Sequence, residues 1–164
     1  TIKHAASSIE NGLHGCFFLG STSCAHLLSL REKKELISKV ANHKLRKQFF
    51  FGIGCNSLND SIDLIKYGME FSNTVFLLMP SSYYPNINES GVYNYYKHII
   101  LQIPKVKIIL YNFSKLGNFL FKPEFVKKLV SSYPKNIIGC KDSTSNLYEK
   151  TKIKDFLRKR NNDK

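Results

Sequence analysis

The chain has 164 residues, of which 43% are hydrophobic and 23% charged, so it is long enough for one globular domain with a real core. Its apolar runs are far too short to cross a bilayer, and no charged-then-apolar secretory leader opens it. The net charge of +13 permits a nucleic-acid partner, but 21 of the 25 basic residues are scattered lysines, which favours a drift in composition over a binding stripe.

Short apolar runs alternate along the chain with longer amphipathic stretches. Each apolar run has about six residues, is rich in β-branched and aromatic side chains, and is typical of a strand buried on both faces. A capping box, Ser29 with Glu32, opens one amphipathic stretch, and Pro123 stands at the start of another. The predicted strands are 15–20, 49–54, 74–79, 106–111 and 136–141, and the predicted helices are 1–11, 29–42, 57–71, 88–101, 122–133 and 145–157.

This alternation predicts a parallel sheet with helices outside it, either doubly wound or part of an eight-stranded barrel. The segment Gly52-Ile-Gly54 lacks the third glycine of a dinucleotide-binding loop, so no such cofactor is expected. The cysteines at 16, 24, 55 and 140 have no zinc or redox spacing, and the five histidines have no metal-ligand spacing. Isolated cysteines favour a reducing compartment, the cytoplasm.

Polar side chains gather where each predicted strand ends, and in a parallel α/β fold these ends share one face. Lys141 ends the fifth strand, where burial would favour a neutral, nucleophilic amine, although a lysine that merely reaches for solvent is the commoner case. Tyr111 ends the fourth strand and is equally well explained as a core tyrosine. Ser21 and Thr22 follow the first strand, where they can bind a carboxylate or form an ordinary turn.

Taken in order, these segments resemble the N-acetylneuraminate lyase and dihydrodipicolinate synthase family of pyruvate-dependent class I aldolases. The similarity extends over nearly the whole chain, and its strength lies in the order and spacing of the motifs rather than in any one of them. The matching segments are Gly15-Cys-Phe-Phe-Leu-Gly-Ser-Thr22, Leu28-Ser29, Phe51-Gly-Ile-Gly54, Pro80 with Tyr83-Tyr84, Tyr111-Asn112 and Gly139-Cys-Lys-Asp-Ser143.

The resemblance implies a Schiff-base aldolase or lyase that acts on pyruvate or another 2-oxo acid together with an aldehyde. Lys141 would form the imine, Tyr111 would shuttle protons, and Ser21 would join a hydroxyl relay with Tyr111. Ser21 and Thr22 would hold the substrate carboxylate. A tyrosine such as Tyr84, lent by a neighbouring subunit of a dimer or tetramer, would complete the relay, and the family needs no cofactor or metal.

Departures from the family pattern bear on the substrate. Ser23-Cys24 replaces the family's Gly-Glu pair, and Ser114 replaces a proline. Leu116 stands where dihydrodipicolinate synthases carry a substrate-binding arginine, which shifts the expectation towards sugar-acid aldolases. Dihydrodipicolinate synthase itself remains an alternative, and a basic module that binds nucleic acid without catalysis is a remote one.

The family's barrel has eight strands and five are predicted here, so the resemblance implies a partial TIM (β/α)8 barrel, with about five parallel strands and flanking helices. Residues 1–164 would form a single incomplete domain that lacks the first strand, the last strands and the C-terminal helices of the family. Five strands cannot close a barrel, so we expect two open sheet edges and an inactive fragment, with Ser21, Tyr111 and Lys141 on one rim.

Overall fold

The computed structural model of this protein describes residues 1–71 and 75–162. These residues form five strands and seven α-helices, which alternate except where two helices follow the fourth strand, and short 3-10 turns at residues 21–23, 25–27 and 46–48. The strands are β1 (Cys16–Phe18), β2 (Phe49–Ile53), β3 (Val75–Leu78), β4 (Lys107–Asn112) and β5 (Ile137–Asp142). The helices are α1 (Ile2–Glu10), α2 (Leu30–Ala41), α3 (Leu58–Glu70), α4 (Glu89–Gln102), α5 (Ser114–Gly117), α6 (Pro123–Ser132) and α7 (Leu147–Asn162).

All five predicted strands and six predicted helices are confirmed, with ends shifted by a few residues. Thr74, expected to open the third strand, lies outside the described residues. The capping box is formed, because Ser29 accepts from the backbone N–H of Glu32 while the Glu32 carboxylate accepts from Ser29. Pro123 occupies the first turn of α6, as expected. The one-turn helix α5 was not predicted.

The strands form one parallel sheet in the order β1-β2-β3-β4-β5, so each strand pairs with its neighbour in the chain. The central strands are apolar and deeply buried, since Phe51, Phe76 and Leu78 are at most 1% exposed and pack in the main core. The edge strands are more open: Phe17 of β1 and Ile138 of β5 are 38% and 39% exposed. Within the described residues β1 and β5 each pair with a single strand, so the sheet has the expected two edges.

Each helix in the described part of the chain is too short or too polar to cross a membrane.

The end of β1 makes a tight turn against β2. Leu19 adopts a left-handed conformation with φ of 58°, which is uncommon for a leucine and redirects the chain just before Ser21. Its carbonyl oxygen then lies so close to Gly52 that a Cβ added there would be only 2.5 Å away. Gly52 is therefore required by a backbone-to-backbone approach that no side chain permits.

Replacing Gly52 by alanine is expected to lower the free energy of unfolding by about 3 kcal/mol, because the new methyl group meets backbone rather than a yielding side chain. Urea unfolding followed by circular dichroism measures the change. Gly20→Ala is the matched control, since nothing lies within 4 Å of a Cβ at that position and its φ is −81°. Equal losses for the two variants would contradict the steric explanation.

Candidate active site

Three of the predicted site residues meet at the carboxyl ends of the strands. Ser21 Oγ and Tyr111 Oη are 3.0 Å apart and share a hydrogen bond. The Lys141 Nζ lies 3.7 Å from the centroid of the Tyr111 ring, close enough for a cation–π contact. Tyr111 and Lys141 are direct partners in the β4–β5 register, so their side chains leave the sheet on the same face. The expected placement of Ser21, Tyr111 and Lys141 on one rim is confirmed.

The contact between Ser21 and Tyr111 also reports on the shape of the sheet. Ser21 follows β1 and Tyr111 lies on β4, and three strand spacings in a flat sheet would separate those strands by roughly 14 Å. Because the two hydroxyls are 3.0 Å apart, the sheet must curl, and the loop after β1 must fold over the carboxyl ends of the strands. Such a curl is what a segment of barrel wall requires.

The environment of Tyr111 favours its ionised form. The residue is 7% exposed, and this burial by itself raises the pKa of the phenol. Hydrogen bonding to Lys141, Ser21 and Ser143, together with the charge of Lys141, outweighs burial, so the pKa of Tyr111 falls below its usual value. A phenol held this way exchanges protons more readily than a free tyrosine does.

Lys141 is half-buried, and its amine donates to Ser143 Oγ at 2.9 Å. Ser143 ends the family-like segment Gly139-Cys-Lys-Asp-Ser143, for which only Lys141 had a predicted role. The structure makes it the hydrogen-bond partner of the amine. The same amine is therefore held between a hydroxyl group and an aromatic ring, with one flank open to solvent.

A cavity of about 440 Å³ adjoins this group and includes Ser21 and Tyr111 in its wall. Its remaining wall is mainly apolar, with a few polar side chains: a concave site of this kind suits a small organic ligand. Leu116, the residue found in place of the family's arginine, is one of the apolar groups. The wall also contains Leu19, Gly20, Ala25, His26, Gly52, Ile53, Gly54, Asn56, Leu77, Met79, Ser82 and Tyr83.

Thr22 and Tyr84 are not brought into this group within the chain. Thr22 is exposed and does not line the cavity. Tyr84 is 69% exposed, and its ring packs edge-on against Tyr83, with the two ring centroids 5.0 Å apart. The carboxylate-binding role of Thr22 and the relay role of Tyr84 stay predictions.

Two asparagines that sequence reasoning missed hold the tyrosine segment in place. Asn56 Oδ1 accepts from the backbone N–H groups of Ser82 and Tyr83, at 3.0 and 3.1 Å. Asn118, in the left-handed conformation, donates from Nδ2 to the Ser82 carbonyl at 2.6 Å. Asparagine at a strand end was the only available signal for Asn56, and nothing in the sequence connects it with a segment 26 residues away.

Among residues 1–71 and 75–162, no three His, Cys, Asp or Glu side chains are grouped so that they could hold a metal ion. The site brings together an amine, a phenol and hydroxyl groups. An amine beside a phenol, at the carboxyl ends of parallel strands, has the chemical groups with which a Schiff base to a carbonyl compound could form.

The chain belongs to the dihydrodipicolinate synthetase family, whose model matches residues 2–161, so the predicted family is confirmed. It is 31% identical to the 2-dehydro-3-deoxy-D-gluconate/2-dehydro-3-deoxy-phosphogluconate aldolase of Picrophilus torridus. That alignment extends over 131 residues and covers 80% of this chain and 47% of the aldolase. It is 31% identical over 156 residues to the 4-hydroxy-tetrahydrodipicolinate synthase of Thermosipho africanus, which covers 90% of this chain and 52% of that protein.

A solved structure extends the comparison to the fold. The dihydrodipicolinate synthase of Acinetobacter baumannii, crystallised with pyruvate, superposes with a TM-score of 0.83 and 26% identity, over 97% of this chain and 54% of that one. The predicted fold class, a partial TIM barrel of five parallel strands with flanking helices, is confirmed. The chain spans about half the length of the curated relatives it matches.

Proposed function

We propose that the full-length protein containing this chain is a class I aldolase or lyase that forms a Schiff base between Lys141 and pyruvate or another 2-oxo acid. The observation that carries the proposal is the contact of the Lys141 amine with Tyr111, whose hydroxyl is itself bonded to Ser21. Family membership supports it, as do relatives named as an aldolase and as a synthase. We also propose that residues 1–164 are one incomplete barrel domain.

In the proposed reaction, the neutral Lys141 amine attacks the keto carbon of the 2-oxo acid and gives a carbinolamine. Tyr111 delivers a proton to the carbinolamine hydroxyl, which leaves as water while the C=N bond forms. Tyr111, now a phenolate, takes the proton from the hydroxyl of the leaving fragment, which departs as the aldehyde. The electron pair of the breaking carbon–carbon bond forms the C=C bond of an enamine as the iminium π pair moves onto nitrogen. Protonation of the enamine carbon and hydrolysis of the imine by water then release the 2-oxo acid and restore the Lys141 amine. Ser21 passes protons to and from Tyr111 through their 3.0 Å hydrogen bond.

We assign the 2-oxo acid carboxylate to Ser21 and Thr22, which follow β1 at the mouth of the site. We assign the end of the relay to Tyr84 of a neighbouring subunit in a dimer or tetramer. Its 69% exposure in the single chain leaves its hydroxyl free to reach across such an interface. A reducing compartment such as the cytoplasm suits the four cysteines, which are free thiols.

The preferred reaction is the cleavage or formation of the carbon–carbon bond of a sugar acid. Leu116 is 44% exposed and lines the cavity with an apolar side chain, where an arginine would bind the carboxylate of aspartate semialdehyde. The second candidate is 4-hydroxy-tetrahydrodipicolinate synthase, which the relative from Thermosipho africanus favours. Side-by-side assays with a 2-keto-3-deoxy sugar acid and with pyruvate plus aspartate semialdehyde decide between them. Comparable turnover in the second assay would show that Leu116 does not exclude that substrate.

The Schiff base itself is tested by incubating the full-length protein with pyruvate and sodium borohydride, then mapping the reduced adduct by peptide mass spectrometry. We expect one adduct, on Lys141. Omitting pyruvate gives the control for non-specific reduction. An adduct on another lysine, or none at all, contradicts the assignment.

A further inference from the structure

The residues that follow Tyr111 and Lys141 contact each other directly. Asn112 and Asp142 are partners in the β4–β5 register, one step beyond the Tyr111–Lys141 pair. Asn112 Nδ2 donates to Asp142 Oδ2 at 2.7 Å, a short bond to a charged acceptor. The two strands are thus clamped immediately above the residues proposed to perform the chemistry. We call this contact the strand-end clamp.

Asn112 is 1% exposed, and both the oxygen and the nitrogen of its side-chain amide are hydrogen-bonded within the protein. Its Oδ1 accepts from the Phe121 N–H at 3.1 Å, while Nδ2 also donates to the Phe121 carbonyl at 3.3 Å. Phe121 in turn packs in a buried aromatic cluster with Tyr96 and Phe125. Asn112 therefore fastens the end of β4 to the core and closes the loop that carries Leu116 into the cavity wall.

The Asp142 carboxylate also makes its contacts outside the cavity. Its Oδ1 accepts from the backbone N–H of Thr144 at 2.8 Å and from the Thr144 hydroxyl at 2.6 Å. Lys150 lies 3.8 Å from the same oxygen, and the Asp142 side chain is only 11% exposed. With both oxygens engaged, this carboxylate holds structure in place and is not available as a base.

The β4–β5 pair needs the strand-end clamp because its ladder of paired residues is irregular nearer the amino-terminal ends of the strands. Ile108 pairs with Ile137, but Ile109 pairs with Gly139, so the register shifts by one residue between them. Between this shift and the carboxyl ends of the strands, only a short run of paired residues keeps β4 and β5 in alignment. A slip of one residue would send Lys141 to the opposite face of the sheet from Tyr111.

We infer that Asn112 and Asp142 are positioning residues, whose contact keeps the Lys141 amine over the Tyr111 ring. The inference rests on the proposed function, because it supposes that the amine and the phenol act together. Misplacing reacting groups by about 1 Å can lower a rate by about 100-fold, so a clamp at this point has a measurable effect on catalysis.

The test uses Asn112→Asp, Asp142→Asn and the exchanged double variant in the full-length protein. Asn112→Asp places two carboxylates in contact, and we expect kcat to fall about 100-fold with little change in the KM for the 2-oxo acid. Asp142→Asn keeps one of the acceptor bonds and is expected to lose about tenfold. The double variant restores an amide-to-carboxylate bond in the reverse direction, so its kcat should recover to within about tenfold of the wild type.

Asn136→Asp is the matched control. Asn136 is a buried amide at the opposite end of β5, where its Nδ2 donates to the carbonyls of Pro104 and Val106, both at 2.9 Å. It should lower stability without lowering the kcat of the folded protein. If Asn136→Asp lowers kcat as much as Asn112→Asp, or if the exchanged variant shows no recovery, the positioning role is wrong.

A second measurement separates this inference from the proposed function. Labelling of Lys141 by acetic anhydride at a series of pH values, read by mass spectrometry, reports the state of the amine without any substrate. Asn112→Asp should change the pH profile of labelling at Lys141 but not at Lys107, which lies at the far end of β4. An unchanged profile overturns the clamp, whereas a changed profile in a protein that traps no pyruvate overturns only the proposed function.

Discussion

Replacing Lys141 by alanine is expected to abolish pyruvate trapping and to lower kcat by at least about 10⁴-fold, since loss of a covalent nucleophile removes the whole reaction path. The amine is the one basic group of the site that contacts Tyr111 within the described part of the chain. Mass spectrometry after borohydride reduction measures the trapping, and steady-state assays measure the rate.

Lys107→Ala is the matched control for this variant. Lys107 opens β4 at the opposite end of the strands, where its amine donates to the carbonyl of Lys135. Removing it deletes the same charge from the neighbouring strand, so it tests whether net charge alone affects the rate. Lys107→Ala should retain trapping and most of the activity. Continued trapping in Lys141→Ala, at whichever lysine, would refute the role assigned to Lys141.

The order of elements was predictable because each strand is short, apolar and bounded by an amphipathic stretch. Strands buried on both faces contain little alternation, and the runs around Phe51 and Phe76 show this pattern clearly. The placement of Tyr111 and Lys141 was predictable for a related reason, because parallel strands that follow one another in the chain bring their carboxyl ends to one edge. Register then makes the two residues neighbours.

Local conformation and long-range polar contacts were not predictable in the same way. Leucine rarely adopts positive φ, so the turn at Leu19 has no signature in the residue itself, although Gly52 is the glycine that the turn demands. The helix α5 has only four residues, too few for a periodic pattern. Contacts such as Asn118 with Ser82 join segments 36 residues apart, and pattern reasoning sees only near neighbours.

The position of Thr22 relative to the cavity was not predictable either. The family resemblance implies that Ser21 and Thr22 together hold the substrate carboxylate, but the turn after β1 is a 3-10 helix in which Ser21 lines the cavity and Thr22 does not. Consecutive residues in such a turn point in different directions, about a third of a turn apart. A role for Thr22 in carboxylate binding therefore depends on its backbone N–H or on a rearrangement when the substrate binds.

Replacing Tyr111 by phenylalanine is expected to lower kcat by about 10²–10⁴-fold, the range for loss of one positioned general acid or base. The variant isolates the hydroxyl, because phenylalanine keeps an aromatic ring beneath the Lys141 amine but removes the bond to Ser21. Trapping at Lys141 should persist at a reduced rate. Tyr67→Phe is the control, since Tyr67 packs against Phe71 and Lys34 on the helical side of the molecule. A Tyr111→Phe enzyme as fast as the control would exclude proton transfer by this phenol.

The proposed role of Tyr111 as a proton donor also predicts the direction in which kcat changes with pH. Tyr111 acts as an acid only while it is protonated, so kcat should fall as pH rises through its pKa. Because that pKa lies below the usual 10.0, the alkaline fall should begin below pH 10. Ser21→Ala removes one of the hydrogen bonds that lower the pKa and should move the alkaline limb to higher pH, whereas Tyr111→Phe should remove that limb. A shift to lower pH in Ser21→Ala would mean that Ser21 stabilises the neutral phenol, and the relay proposed for the two hydroxyls would have to run in the other direction.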